Sequence, residues 1–163
     1  ILFNERTERG NTDVRILRPG GRTVTEGVFN SPFDEQDARL SPDNRAITVV
    51  SDESGGYELY VTSFPPTGAK TRVSAGGASA PRWAPDGREL FYLSADGRLM
   101  VVPVGTQPAL EVGVPMPLFT MSSAAKWKDF DVARDGKKFL AIIPQSRANE
   151  QPLTVVVNWT ETR

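Results

Sequence analysis

The chain carries 163 residues with 19 basic and 20 acidic side chains, a formal net charge of −1, and neither histidine nor cysteine. That length suits a domain with a sizeable core, and charges mixed at this balance supply no basic stripe for neutralising phosphates, which argues against nucleic acid as a partner. The missing cysteines exclude disulfides and thiolate metal sites while leaving either redox compartment open; the missing histidines exclude a Ser-His-Asp or Cys-His arrangement within this chain and remove the commonest metal ligand.

In chain order, the opening "ILFNERTERG" lacks the charged-then-apolar layout of a signal peptide. No apolar run approaches the roughly 18–20 residues of a membrane-spanning helix. The start at Ile1, without an initiating Met and directly in an apolar tetrapeptide, reads as a piece of something longer. Short runs rich in Val, Ile, Phe and Tyr alternate with clusters of Gly, Pro, Asp, Asn and Ser, and no window sustains helical periodicity, so the pattern predicts an all-β chain. "ILFN", "DVRIL" and "RTVTE" predict three strands, with the charged "NERTERGNTDVR" as a solvated hairpin tip. "ARL", "AITVVS", "YELYV" and "KTRVS" predict the next four. "PRW", "ELFYLS", "RLMVV" and "PLFTM" predict another four, with the Pro-rich "TQPALEVGVPMP" as a loop insertion, and "KDFDVA", "KFLAII" and "LTVVVNW" predict the last three.

One phrase recurs between these strands. Leu40-Ser41-Pro42-Asp43-Asn44-Arg45, Trp83-Ala84-Pro85-Asp86-Gly87-Arg88 and Val132-Ala133-Arg134-Asp135-Gly136-Lys137 each run apolar, small, turn, basic, strand. Pro presets φ at the first central turn position, Asp bonds nearby amides, and Gly or Asn accepts the left-handed conformation that closes a hairpin. Arg134 removes the φ lock in the third copy but leaves the Asp-Gly pair. The three Asp residues stand 43 and 49 residues apart, near the ~40–50 of a four-stranded propeller blade. The expected fold is therefore a partial β-propeller of four-stranded antiparallel blades, two complete and two incomplete, with pieces at about 1–35, 36–78, 79–124 and 125–163. A six-bladed ring would lack two whole blades and one strand at each end, and seven blades would fit equally well.

"ARLSPDNRAITVVSDESGGYELYVTSFP" and "APRWAPDGRELFYLSADGRLMVVPV" resemble the WD40-like, TolB-type β-propeller repeats of bacteria, over nearly the whole chain. The run from "DVARDGKKFLAIIP" to "LTVVVNWT" is similar to the C-terminal end of propellers behind bacterial receptor-like serine/threonine kinases. The resemblance implies a non-enzymatic protein-interaction or sensor module, with its ligand at a rim or central channel and no catalysis in the propeller itself. It favours a periplasmic or extracytoplasmic place, no cofactor, a protein or peptide ligand, and the rest of a parent propeller or a second copy as neighbour. Two alternatives stay open: a regulatory propeller of a prolyl-oligopeptidase-like serine peptidase, and a structural fragment without a ligand.

The residues themselves offer little chemistry, and no catalytic, cofactor or metal residue is assigned. Asp52 and Glu53 are adjacent and would diverge on a strand, whereas Asp129 and Asp131 share a face. The stretch from Asp129 to Gly136 superficially matches a calcium loop, but its third acid is misplaced and no Glu stands at the twelfth position. "SAGGASAP" at Ser74 to Pro81 is glycine-rich yet enters a strand rather than a helix, and reads as a plain connection. Trp83 occupies the slot of Leu40 and Val132, so it is expected in a core; Trp127 and Trp159 are less constrained, and the "NWT" at Asn158 is an accidental sequon in a chain of bacterial character.

Overall fold

The computed structural model describes residues 1–18, 24–29, 31–120, 129–142 and 156–157. Four antiparallel sheets follow one another along the chain. Sheet 1 contains β1 (Leu2–Arg6), β2 (Thr12–Arg18) and β3 (Val24–Gly27). Sheet 2 contains β4 (Glu35–Leu40), β5 (Ala46–Ser51), β6 (Glu58–Ser63) and β7 (Thr71–Arg72). Sheet 3 contains β8 (Ala78–Trp83), β9 (Glu89–Ser94), β10 (Arg98–Gly105), β11 (Glu111–Val112) and β12 (Met116–Thr120). Sheet 4 contains β13 (Asp129–Val132), β14 (Lys138–Ile142) and β15 (Val156–Val157). The chain is all-β, propeller-like, and no helix among the described residues is long and apolar enough to cross a membrane.

The sheets pack face against face, and strand alternation divides each apolar run between two cores. In β5, Ile47 and Val49 enter the core shared with Val14 of sheet 1, while Ala46 and Val50 enter the core shared with Leu90, Tyr92, Val102 and Val104 of sheet 3. In β9, Leu90 and Tyr92 face sheet 2, while Phe91 and Leu93 face Phe130, Phe139 and Ala141 of sheet 4. Buried on both faces, these strands carry near-continuous apolar runs, broken in β5 by the buried Thr48, where a half-exposed strand would alternate with polar residues.

The repeated phrase folds the same way three times. The amides of Ser41, Ala84 and Ala133 donate to the carbonyls of Ala46, Glu89 and Lys138 at 2.8–2.9 Å, and the carboxylates of Asp43, Asp86 and Asp135 accept from the amides of Arg45, Arg88 and Lys137 at 3.0–3.1 Å. Asn44, Gly87 and Gly136 sit at φ 58°, 72° and 66°, the left-handed region their types permit. The turns also stack: a Cβ on Gly87 would lie 3.5 Å from Pro42 Cδ, and one on Gly136 would lie 4.0 Å from Pro85 Cδ. Pro in one turn thus sits beside Gly in the next.

The insertion departs from its expected loop form. Residues Glu111–Val112 pair with the far end of β10 as β11, while the near end of β10 pairs with β12, giving sheet 3 a fifth strand. Eight-residue β10 is long enough to hold both, and the Gly113 amide donates to the Pro103 carbonyl at 2.8 Å between the two pairings.

Candidate functional site

The first strands of sheets 2, 3 and 4, namely β4, β8 and β13, lie side by side and line one groove. Each places a charged residue four positions before its turn aspartate: Arg39, Arg82 and Asp131. Both β4 and β8 are bulged just before this position, with register shifts at Gln36–Arg39 and Ser79–Arg82 and with Asp37 at φ 52° and Ala80 at φ 51°. A bulge re-aims the side chains that follow it. Arg39 Nη1 and Arg82 Nη1 accordingly turn back to donate to the carbonyls of Ala38 and Pro81 at 2.9 and 2.8 Å. In β13, paired with β14 from Asp129 to Val132 without a shift, carboxylates take these places.

The groove encloses about 380 Å³ between Arg39 and Arg82 on one wall and Asp129, Asp131, Leu140 and Ile142 on the other. Arg82 bridges the walls, donating from Nη2 to Asp129 Oδ1 at 2.8 Å with its guanidinium 5.9 Å from the centre of the Phe130 ring. Trp83 Nε1 donates to the Arg39 carbonyl at 3.2 Å and the indole packs on the core between sheets 2 and 3, the place its repeat slot predicts. Charge of both signs beside two exposed aliphatic side chains can hold a polypeptide segment: amide and side-chain donors on the carboxylates, acceptors on the guanidinia, apolar side chains on Leu140 and Ile142.

Asp129 and Asp131 do not act as a converged pair. Each spends Oδ1 on the amide of the residue after it, at 2.8 Å, and Asp129 is also engaged by Arg82. Among the described residues no three His, Cys, Asp or Glu side chains gather as metal ligands. Asp52 and Glu53 diverge as expected: Asp52 Oδ1 accepts the Asp34 amide at 2.9 Å, and Glu53 pairs with Lys70 at 2.5 Å. The glycine-rich stretch does cradle a carboxylate, but its own: Glu58 accepts from the amides of Gly76 and Gly77 at 2.7 and 3.1 Å and from the Ser74 hydroxyl. Trp127, Trp159 and the "NWT" sequon lie outside the described residues. At the turn end, the Ser41 hydroxyl and then the Thr106 hydroxyl hold the Asp43 carboxyl down to about 2, tying the first hairpin to sheet 3.

Sequence reasoning missed Arg39 and Arg82. The signal was present, since both stand one residue before the repeated phrase at the same spacing as the aspartates.

No family model matches the chain, and no curated protein matches it. Solved structures do. A structure assigned to TolB from Agrobacterium tumefaciens aligns with TM-score 0.62 and 20% identity over 93% of this chain and 52% of its own. The chain resembles TolB-type β-propellers in fold. TolB from Acinetobacter baumannii aligns with TM-score 0.59 and 17% identity over 85% of this chain and 33% of its own. Oligogalacturonate lyase from Vibrio parahaemolyticus aligns with TM-score 0.59 and 16% identity over 94% of this chain and 39% of its own. The chain therefore spans about half the length of the first of these and less of the others. A lyase shares this architecture with TolB, so the fold by itself does not fix a function.

Proposed function

We propose that the chain is a non-enzymatic protein-interaction or sensor module of a bacterial protein, built as part of a β-propeller, and that it takes a peptide segment in the groove of β4, β8 and β13. One observation carries this reading: Arg39, Arg82 and Asp131, equivalent in the repeat, arrive on neighbouring strands at one open cleft with Leu140 and Ile142 beside them. In this reading the blades run over about 1–35, 36–78, 79–124 and 125–163, two complete and two incomplete. The TolB likeness favours a periplasmic or extracytoplasmic setting.

Selection from a random peptide display library tests it. Peptides are expected to enrich on the wild-type chain and to lose that enrichment when Arg39→Ala and Arg82→Ala are combined. Enrichment indifferent to both changes overturns the groove assignment. Reproducible hydrolase, kinase or redox turnover abolished by Asp129→Asn or Asp131→Asn overturns the non-enzymatic reading.

The outer face of sheet 4 belongs to the same proposal. On β14, Leu140 and Ile142 are 56% and 57% exposed while Phe139 and Ala141 are buried against sheet 3. Uncovered apolar sheet faces seldom stay bare, and a chain half as long as the TolB structure leaves room for further blades of the same ring. Isolated, the chain is expected to self-associate through this face, most simply as a dimer. Sedimentation across a concentration series reads this out, with Leu140→Asp and Ile142→Asp together restoring the monomer. A wild-type chain that stays monomeric at high concentration ends the idea.

A further inference from the structure

The groove of β4, β8 and β13 makes one contact between sheets 3 and 4 that it lacks between sheets 2 and 3. Arg82 stands opposite Phe91 in the β8–β9 pairing, and its guanidinium donates from Nη2 to Asp129 Oδ1 of the next sheet at 2.8 Å. Asp129 stands opposite Ile142, seven residues after the turn aspartate Asp135. One sheet earlier, the same frame places Arg39 opposite Thr48, which lies five residues after Asp43 as Phe91 lies five after Asp86. The residue that corresponds to Asp129 at this earlier junction is Ser79, opposite Leu93, seven residues after Asp86. The bulge in β8 takes up the extra residue, so Ser79 and Arg82 share a face of their sheet as Asp129 and Asp131 share one of theirs.

Arg39 and Arg82 otherwise hold the same pose, each donating from Nη1 to the carbonyl of the residue before it. What Arg82 has in addition is a carboxylate. Arg39 is exposed on the groove wall, and among the described residues its side chain has no ion pair and no hydrogen bond beyond the one to Ala38. With Nη1 engaged, its Nε and Nη2 still form a two-pronged donor, the geometry a carboxylate matches. We propose that an acidic side chain of the bound peptide, Asp or Glu, takes the place at Arg39 that Asp129 takes at Arg82, so that the groove selects acidic peptides. This rests on the groove reading above. A side chain is the source and not a chain end, because the carboxylate that fills the role at the next junction is carried on an extended strand beside the arginine's own. Arg82 does not compete for the ligand, since its Nη2 is already on Asp129. Asp131, on the opposite wall, repels a second carboxylate and favours amide donors, which confines the acidic contact to the Arg39 side.

The probes are acetyl-Leu-Asp-Leu-amide and its Asn counterpart, both ends blocked so that the side-chain carboxylate is the only difference in charge. Each is titrated into the full chain and followed by amide NMR shifts around Arg39, Arg82 and Asp131. Saturable shifts are expected from both, with the Asp peptide bound about tenfold or more tighter, the worth of one charge-assisted hydrogen bond. Arg39→Gln should abolish that preference while keeping the binding of the Asn peptide. Ser79→Asp, which gives the chain its own carboxylate at the position of Asp129, should abolish it too. Both positions are exposed, so both variants are expected to fold. Equal binding of the two peptides by the wild-type chain overturns the acidic preference and leaves the groove reading standing. A preference that survives Arg39→Gln or Ser79→Asp overturns it as well, by placing the carboxylate elsewhere. No saturable shift at these amides from either peptide overturns the proposal together with the groove reading.

Discussion

Phe91→Ala is expected to destabilise the fold by about 3–5 kcal/mol, the range for deleting a fully buried aromatic side chain and leaving its cavity. Phe91 is completely shielded from solvent on β9, and its ring meets Phe139 of β14 edge to face, with centroids 5.0 Å apart and planes at 79°. Phe119 and Phe130 approach the same Phe139 ring at 6.0 and 6.2 Å. The cluster joins sheets 3 and 4, so the substitution weakens the contact that holds the third member of the groove, β13, beside the other two. Phe91→Leu keeps most of the volume and should lose chiefly the aromatic pairing, about 0.5–1.5 kcal/mol. Denaturant unfolding separates these outcomes. Equal midpoints for wild type and Phe91→Ala would mean that sheet 4 does not pack on sheet 3 in solution.

The features legible in the sequence are those written within a few residues. Asp43, Asp86 and Asp135 bond amides two positions ahead, and the left-handed residue after each is Asn or Gly, so one hairpin phrase fixes both geometry and spacing. The doubly buried β5 and β9 are equally legible, since near-continuous apolar runs bounded by turn residues need no partner to be recognised. Strand β11 is only two residues long and exists because β10 overshoots its partners, a matter of tertiary length that local pattern does not carry. The candidate site sits furthest from local rules. Arg82 reaches Asp129 across 47 residues, so the pairing leaves no motif. Arg39 and Arg82 form the intermediate case, visible as a repeat position but mute as chemistry until the bulges at Asp37 and Ala80 turn both toward one groove.

Gly77→Ala is expected to cost about 2–5 kcal/mol, from two sources that a second substitution can separate. The first is backbone strain: Gly77 sits at φ 101°, where a residue with a Cβ is disfavoured. The second is space, because a Cβ at this position would lie 2.9 Å from Ala95 Cβ in the β9–β10 turn, closer than such atoms approach. Gly87 makes the contrast, since its φ of 72° also favours glycine while its nearest neighbour, Pro42 Cδ, would stand at an ordinary 3.5 Å. Gly87→Val therefore carries chiefly the strain, about 1–3 kcal/mol. Combining Gly77→Ala with Ala95→Gly removes the collision and leaves the strain, so the double variant should regain about 1–3 kcal/mol relative to the sum of the single changes. The position matters beyond packing: the Gly76 and Gly77 amides both donate to Glu58, and the Ala95 amide donates to the Gly77 carbonyl at 3.2 Å, so this tight turn carries the chain from sheet 2 into β8. Denaturant midpoints of the four proteins close the cycle. Strict additivity would show that Gly77 and Ala95 are not in contact and that β8 and β9 pair at this end with a different register from the one described.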